Sequence, residues 1–183
     1  MASTKQKDRA PAVTTVKTPL GKICIAAGPK GIFMIGEKSL KKFQNKGSCG
    51  PKEVKTLARA VTELEQYFQG KRKSFTVVVD LSSGSPFQQT VWRELQKVPY
   101  GHVITYGELA KRIGRPGAAR AVGRAVGSNP NGIIVPCHRV VATGKRIGGW
   151  SGGGGIAGKI KLLMLESADF FKIEKIKRTK KKR

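Results

Sequence analysis

Acidic residues are scarce in this chain. Eleven Asp and Glu stand against thirty-six Lys and Arg, a formal charge of +25 over 183 residues. An excess of that size points to a polyanionic partner, nucleic acid first and an anionic membrane surface second. Long apolar runs are missing as well. None approaches the about 20 residues that cross a bilayer, so no membrane span is expected. The opening Met1-Ala2-Ser3-Thr4-Lys5-Gln6-Lys7-Asp8-Arg9 has no hydrophobic core, so no secretory signal is expected, and the reducing interior of a cell is the expected setting. Cysteine is equally rare. Cys24, Cys49 and Cys137 form an odd, widely spaced set without a Cys-x-x-Cys, which argues against a disulfide framework. With only His102 and His138 beside them, and none of the paired ligand spacings, no metal is expected. The glycine run at 152–155 is not closed by the Gly-Lys-Ser/Thr of a phosphate-binding loop, and no other cofactor is expected.

The length allows one large domain or two small ones, with enough apolar content for a core. Residues 1–12 are polar and expected to be disordered. Residues 13–83 read as an α/β domain, a small antiparallel sheet plus a helix. Thr18-Pro19-Leu20-Gly21 and Gly28-Pro29-Lys30-Gly31 are turn signals around short strands, the last of them Ile32-Phe33-Met34-Ile35. Cys24 falls inside a strand, as a packed thiol. A lysine- and glycine-rich surface loop covers 40–51. From Lys52 a helical period sets Val54, Leu57, Ala58, Val61, Leu64, Tyr67 and Phe68 on one face, and Gly70 ends it. Thr76-Val77-Val78-Val79-Asp80-Leu81 is expected to be a final strand. Leu81-Ser82-Ser83-Gly84-Ser85 is the best linker, which places a domain boundary near residue 83.

Residues 84–171 read as a mostly α-helical second domain. Ser85 can cap a helix with Pro86 in its first position and Phe87, Val91, Leu95 and Val98 along one stripe. A short helix from near Thr105 to Ile113 and a second over 118–126 flank Gly114-Arg115-Pro116, a helix-turn-helix pattern. The second helix is made of small residues with Arg120 and Arg124 one turn apart, suited to close approach to a duplex. Next comes Ile133-Ile134-Val135-Pro136-Cys137-His138-Arg139-Val140-Val141, where two apolar runs flank a thiol, an imidazole and a guanidinium. A thiol reacts through its thiolate, which a neighbouring imidazole or cation favours, so Cys137 is the candidate nucleophile. An isolated Cys–His pair is more commonly a packed thiol beside a satisfied imidazole. The helix pair directly ahead of this one favours the reactive reading. Trp150, between glycines, suits a ring that closes over a flat ligand. A terminal helix is expected over 156–171. The tail, 172–183, carries eight basic residues against Glu174, as a nuclear address or a sequence-blind grip on phosphates.

Together these residues resemble the O6-alkylguanine-DNA alkyltransferases, also called methylated-DNA–protein-cysteine methyltransferases. The likeness runs from about Ser85 to Glu166. It rests on Phe87 and Trp92, Pro99-Tyr100-Gly101, Tyr106, Ala119-Arg120-Ala121-Val122-Gly123, Asn129-Pro130, the Pro136-Cys137-His138-Arg139-Val140-Val141 core and Trp150-Ser151-Gly152-Gly153. The first domain matches more weakly, through Thr18-Pro19-Leu20-Gly21 and the turn before Gly31-Ile32. The resemblance implies repair of duplex DNA by direct reversal, in a single-turnover, irreversible transfer. An O6-alkylated guanine, or an O4-alkylated thymine, is flipped out and its alkyl group moves to Cys137. It implies that His138, oriented by Glu166, activates Cys137 through a water. Asn129 would brace the turn, and Tyr106 would bond the base and help protonate the departing guanine. The backbone at Cys137, Val140 and Ser151 would read base edges, with Trp150 over the pocket and Val126 against the base. Arg120 would fill the gap left by the extruded base. The second helix, with Ala119, Gly123 and Arg124, would enter the minor groove.

The chain departs from the family pattern at three places. Trp150 stands where many members have tyrosine, Val126 where a longer side chain is common, and Gly132 where some have proline. The first domain lacks the cysteine and histidine set with which some members bind zinc. Arg139 is expected to hold the two domains together by hydrogen bonds, and His102 to be a turn residue. The protein is expected to act as a monomer, off the membrane, in the nucleus by its basic tail or otherwise in the cytoplasm or nucleoid. Two alternatives stand beside this reading: a binding-only protein for alkylated DNA, and a Cys–His hydrolase with true turnover.

Overall fold

Three strands open the structure, a computed structural model that describes residues 10–36, 43 and 48–168. The first nine residues, most of the lysine-rich loop and the basic tail lie outside the described residues. β1 (Ala12–Thr18), β2 (Gly21–Gly28) and β3 (Gly31–Gly36) form an antiparallel sheet in that order. Pro19 and Leu20 make the β1–β2 turn. The Thr18 hydroxyl accepts from Leu20 N–H at 3.1 Å, and Gly21 takes φ 101°, which suits a residue without a Cβ. Ile23 and Ile25 point inward with the two-residue period of a strand, while Cys24 between them is half-buried. A bulge between Ala26 and Ala27 shifts the register against β3.

α1 (Pro51–Phe68) lies against all three strands and buries Ala60, Leu64 and Tyr67. Its inner face is rotated from the one expected: Val54 is half exposed and Ala58 is exposed, whereas Glu53 and Glu63 are buried. Counting apolar residues alone missed the carboxylate on the inner face. Burial acts to raise the Glu63 pKa, and hydrogen bonds from Thr76, Arg59 and Val77 bring it below the usual carboxylate value. That carboxylate also corrects the expected final strand. The N–H groups of Thr76 and Val77 donate to Glu63 at 2.8 and 3.2 Å, so they cannot join a ladder. Only Val78 and Asp80 reach the sheet, both through Ile32, in one isolated parallel bridge. Gly31 lies under this crossing, where a Cβ would come within 2.5 Å of the Val78 oxygen.

The chain divides into two compact units, Met1–Ser83 and Gly84–Arg183. The second is helical. α2 (Pro86–Gln96) starts in a capping box: Ser85 accepts from Gln88 N–H, and the Gln88 side chain accepts from Ser85 N–H. α3 (Tyr106–Arg112) starts in another, built from Thr105 and Glu108. α4 (Ala119–Gly127) follows a connection in which Gly114 and Gly117 take positive φ. Trp92 and Val91 of α2 are buried, and the Trp92 indole donates to Ala125 O of α4 at 2.8 Å. β4 (Ile104–Thr105) and β5 (Val140–Val141) pair in parallel and fix the segment after Cys137 to the start of α3.

α5 (Gly155–Leu165) stops well before residue 171. Ser167 adopts φ 47°, its N–H bonds Met164 O at 2.9 Å, and Ala168 N–H bonds Leu163 O at 3.0 Å. This is a Schellman cap with serine in place of the usual glycine. It makes Glu166 the cap residue and turns it into the unit, where it is 2% exposed. Residues 169–171 lie outside the described residues.

Candidate active site

A strained turn carries the nucleophile candidate. Ile133 has φ 74°, a left-handed conformation that costs a β-branched residue of order 1–3 kcal/mol. Asn129 clasps the turn from both sides. Its Nδ2 donates to Val135 O at 2.8 Å and its Oδ1 accepts from Asn131 N–H at 3.0 Å. Pro136 then leads into a 3₁₀ turn, Cys137–Arg139, whose three side chains are all buried.

The two basic members of that turn converge on Glu166. His138 Nε2 lies 2.9 Å from Oε1, and Arg139 donates from Nε to Oε2 and from Nη2 to Oε1, each at 2.9 Å. Gly101 N–H adds a fourth donor at 3.2 Å. Burial acts to raise the Glu166 pKa, but the hydrogen bonds from His138 and Arg139, and then their charges, hold it down at about 2. For His138 burial dominates in the other direction and keeps the imidazole below its ordinary pKa despite the carboxylate. The ion pair is therefore Glu166 with Arg139, and His138 is a neutral imidazole at pH 7. With Nε2–H given to the carboxylate, Nδ1 carries the lone pair. It is buried, with no hydrogen-bond partner among the described residues. Arg139 also donates from Nη1 to Val98 O at 2.6 Å. His102 is an exposed turn residue bonded to Tyr100 O.

Cys137 is 6% exposed and lines a pocket of about 380 Å³. The other walls are Tyr106 of α3, Gly123, Val126 and Gly127 of α4, and Gly149, Trp150 and Ser151 of the glycine-rich loop. Trp150 Nε1 donates to Cys137 Sγ at 3.2 Å, and the Ser151 hydroxyl donates to Gly127 O at 2.8 Å, tying the loop to α4. Burial, and then the charge of Cys137, push the Tyr106 hydroxyl above its usual pKa, so it is a proton donor at neutral pH. Gly123 faces the Tyr106 ring, and a Cβ there would sit 3.8 Å from it, in ordinary van der Waals contact. Arg120 and Arg124 are exposed on α4, and Ala119 is half-buried at its start. Val140 is not in the pocket wall. Its N–H returns to Cys137 O and its carbonyl accepts from Lys159 Nζ at 2.5 Å.

Lys159 escaped the sequence reading. It is wholly buried and also donates to Ile147 O at 2.8 Å. Burial brings its pKa down to about 8, against the opposing pull of the Cys137 charge. The signal was present in its spacing. Lys159 precedes Leu162, Leu163 and Glu166 by three, four and seven positions, which puts it on the buried stripe of α5. Among the described residues no group of His, Cys, Asp or Glu is arranged to hold a metal ion.

Comparison with known proteins follows the same division. Residues 12–81 match the family model "6-O-methylguanine DNA methyltransferase, ribonuclease-like domain", and residues 86–168 match its DNA binding domain. A methylated-DNA–protein-cysteine methyltransferase of Mycobacterium bovis is 40% identical over 155 residues, covering 84% of this chain and 91% of that protein. The chain belongs to the methylated-DNA–protein-cysteine methyltransferase family. A member from Mycolicibacterium paratuberculosis is 50% identical over 112 residues, which cover 61% of this chain and 66% of its own length. The crystal structure of Mycobacterium tuberculosis OGT in complex with DNA is 40% identical and superposes with a TM-score of 0.72, over 85% of this chain and 92% of that one. The small antiparallel sheet followed by a helical half is the fold shared with these relatives.

Proposed function

We propose that this protein repairs duplex DNA by direct reversal, taking the alkyl group of O6-alkylguanine, and of O4-alkylthymine, irreversibly onto Cys137. The observation that carries the reading is the pocket: a cysteine sulfur in its wall, a neutral imidazole held by a buried carboxylate next to it in sequence, and an arginine-bearing helix as another wall.

Displacement at a saturated carbon wants a soft nucleophile, and a thiolate is the best side chain for it. His138 Nδ1, with its lone pair available, takes the thiol proton through a water, and Glu166 fixes the tautomer that makes this possible. The Sγ electron pair forms the new C–S bond. The C–O6 bond breaks, its electrons pass into the purine, and Tyr106 supplies a proton to the leaving base. A thioether results, and each molecule acts once. The indole on Sγ and the absence of a direct His138–Sγ hydrogen bond among the described residues favour this over a Cys–His hydrolase.

α3 and α4 act as a helix-turn-helix whose second helix enters the minor groove, with Ala119 and Gly123 allowing close approach. Arg120 fills the space of the flipped base, Arg124 contacts phosphate, and Val126 and Ser151 meet the base. Residues 84–171 carry the chemistry, and 172–183 add electrostatic grip. The protein acts as a monomer. No helix of the described residues is long and apolar enough to cross a membrane. The relatives named above are bacterial, which favours a nucleoid setting over a nuclear address for the basic tail.

Mass spectrometry after mixing with an O6-methylguanine duplex tests the proposal. One methyl group per molecule, confined to the peptide with Cys137, is expected, and Cys137→Ala should bind the duplex without gaining mass. Repeated turnover by unmodified protein, or methylation at Cys24 or Cys49, would overturn it.

A further inference from the structure

The residue at 150 is an indole whose N–H points at the sulfur of Cys137. We infer that Trp150 is a catalytic residue: it donates its indole N–H to Cys137 Sγ and holds the sulfur in its anionic form. The assignment rests on Cys137 being the nucleophile, and it goes beyond a ring that covers the base.

Two features of the structure build this contact. Trp150 Nε1 lies 3.2 Å from Sγ, inside the range for a hydrogen bond to sulfur. The indole is also seated in a slot that only glycines permit. A Cβ at Gly152 would fall 2.4 Å from Trp150 Cζ2, and one at Gly158 would fall 2.8 Å from Cζ3. Gly152 and Gly158 on α5 therefore leave room for a large ring edge-on to the sulfur. A donor aimed at sulfur favours the charged form over the thiol, because a hydrogen bond to an ion is stronger than one to its neutral partner.

The other groups facing the sulfur are otherwise engaged. His138 gives Nε2–H to Glu166, which is also bound by Arg139. Lys159, from α5, gives its protons to Val140 O and Ile147 O and acts on the sulfur only through its charge. Tyr106, from α3, is near enough for the sulfur's charge to add to burial in raising its pKa, but it makes no hydrogen bond to Sγ among the described residues. The indole is thus the one direct hydrogen-bond donor to Sγ among the described residues.

The test uses the full chain and iodoacetamide, with no DNA, and follows the Cys137 peptide by mass spectrometry across pH. Trp150→Phe keeps a ring in the slot and removes the donor. The midpoint of the alkylation profile should rise by about one pH unit, a tenfold loss of reactive form at a fixed low pH. An unmoved midpoint with a faster plateau would mean that the ring merely shields the sulfur, and would overturn the assignment. Wild-type protein gives a second readout that needs no variant. The chain has only two tryptophans, and Trp92 donates to a carbonyl. The indole N–H resonance of Trp150 should move with pH at the same midpoint as Cys137 alkylation, while that of Trp92 stays fixed. Two static resonances would also overturn it. Because neither measurement uses alkylated DNA, a failure of methyl transfer would count against the repair reading while leaving the effect of the indole on the sulfur measurable by itself.

Discussion

Glu166→Gln separates the structural from the chemical share of the buried network. In the folded chain the Glu166 carboxyl titrates at about 2, against 4.5 for an ordinary glutamate. That gap corresponds to about 3 kcal/mol at pH 7, at 1.36 kcal/mol per unit. Because the folded value lies below the unfolded one, the contribution is complete above pH 4.5 and fades as pH falls toward 2. At pH 3 the folded carboxyl is still ionised while the unfolded one is not, which leaves about 1.4 kcal/mol. Glutamine keeps the volume and one acceptor but loses the charge that faces Arg139, itself only 5% exposed. Glu166→Ala should cost more, about 3–5 kcal/mol, because it leaves that guanidinium without a counter-charge and with only Val98 O as acceptor. Urea unfolding of wild type and Glu166→Gln at pH 7 and pH 3 is the assay. The expected result is a difference of about 2–3 kcal/mol at pH 7 that shrinks by more than half at pH 3. A difference that is absent at pH 7, or one that is the same at both pH values, would refute the ion-pair reasoning.

Lys159 has the opposite sign. Its folded pKa of about 8 lies below the ordinary 10.5, so the unfolded chain binds more protons in that window and stability rises with pH through it. Measured against Lys159→Met, wild type should gain up to about 3 kcal/mol between pH 8 and 10.5, and a constant gap would show that the amine is not held low. Arg120→Ala should slow methyl transfer from a fully paired duplex by about tenfold or more, each ~1.4 kcal/mol of flipping cost being a factor of ten. Transfer from the free modified base should barely change, and equal losses on both would remove the flipping role. Deleting residues 173–183 should flatten the salt dependence of duplex binding, by about 0.9 in log–log slope for each phosphate the tail neutralises. An unchanged slope would leave the tail without a part in binding.

Much of the fold was legible because local rules agreed with it. Turn residues placed β1 to β3, Ser85 and Thr105 announced their helices, and Gly114-Arg115-Pro116 separated α3 from α4. What could not be read came from side chains that override pattern. Glu63 takes two amides that the valine-rich run at 76–81 needed for a ladder, so a sequence with strong strand propensity becomes an edge tethered at two points. Ser167 ends α5 in a conformation that glycine usually marks, and nothing in its neighbourhood signals the stop. Lys159 is charged, and charge is normally taken as a sign of exposure; only its register with Leu162 and Leu163 gives it away.

The site was legible as a set of residues and not as a wiring diagram. Cys137, His138 and Glu166 were nameable from the resemblance, whereas the direction of their hydrogen bonds depends on which nitrogen of His138 meets the carboxylate. Had Nδ1 taken Glu166, the lone pair would fall on Nε2 and the relay to sulfur would need a different path. That choice is made by the cap at Glu166, which turns the carboxylate inward, and by Arg139, which claims both of its oxygens and keeps it ionised. A buried neutral imidazole would otherwise have no fixed tautomer. The arginine two residues after the nucleophile, which takes no part in the chemistry, therefore sets the orientation on which the histidine's basicity toward the thiol depends.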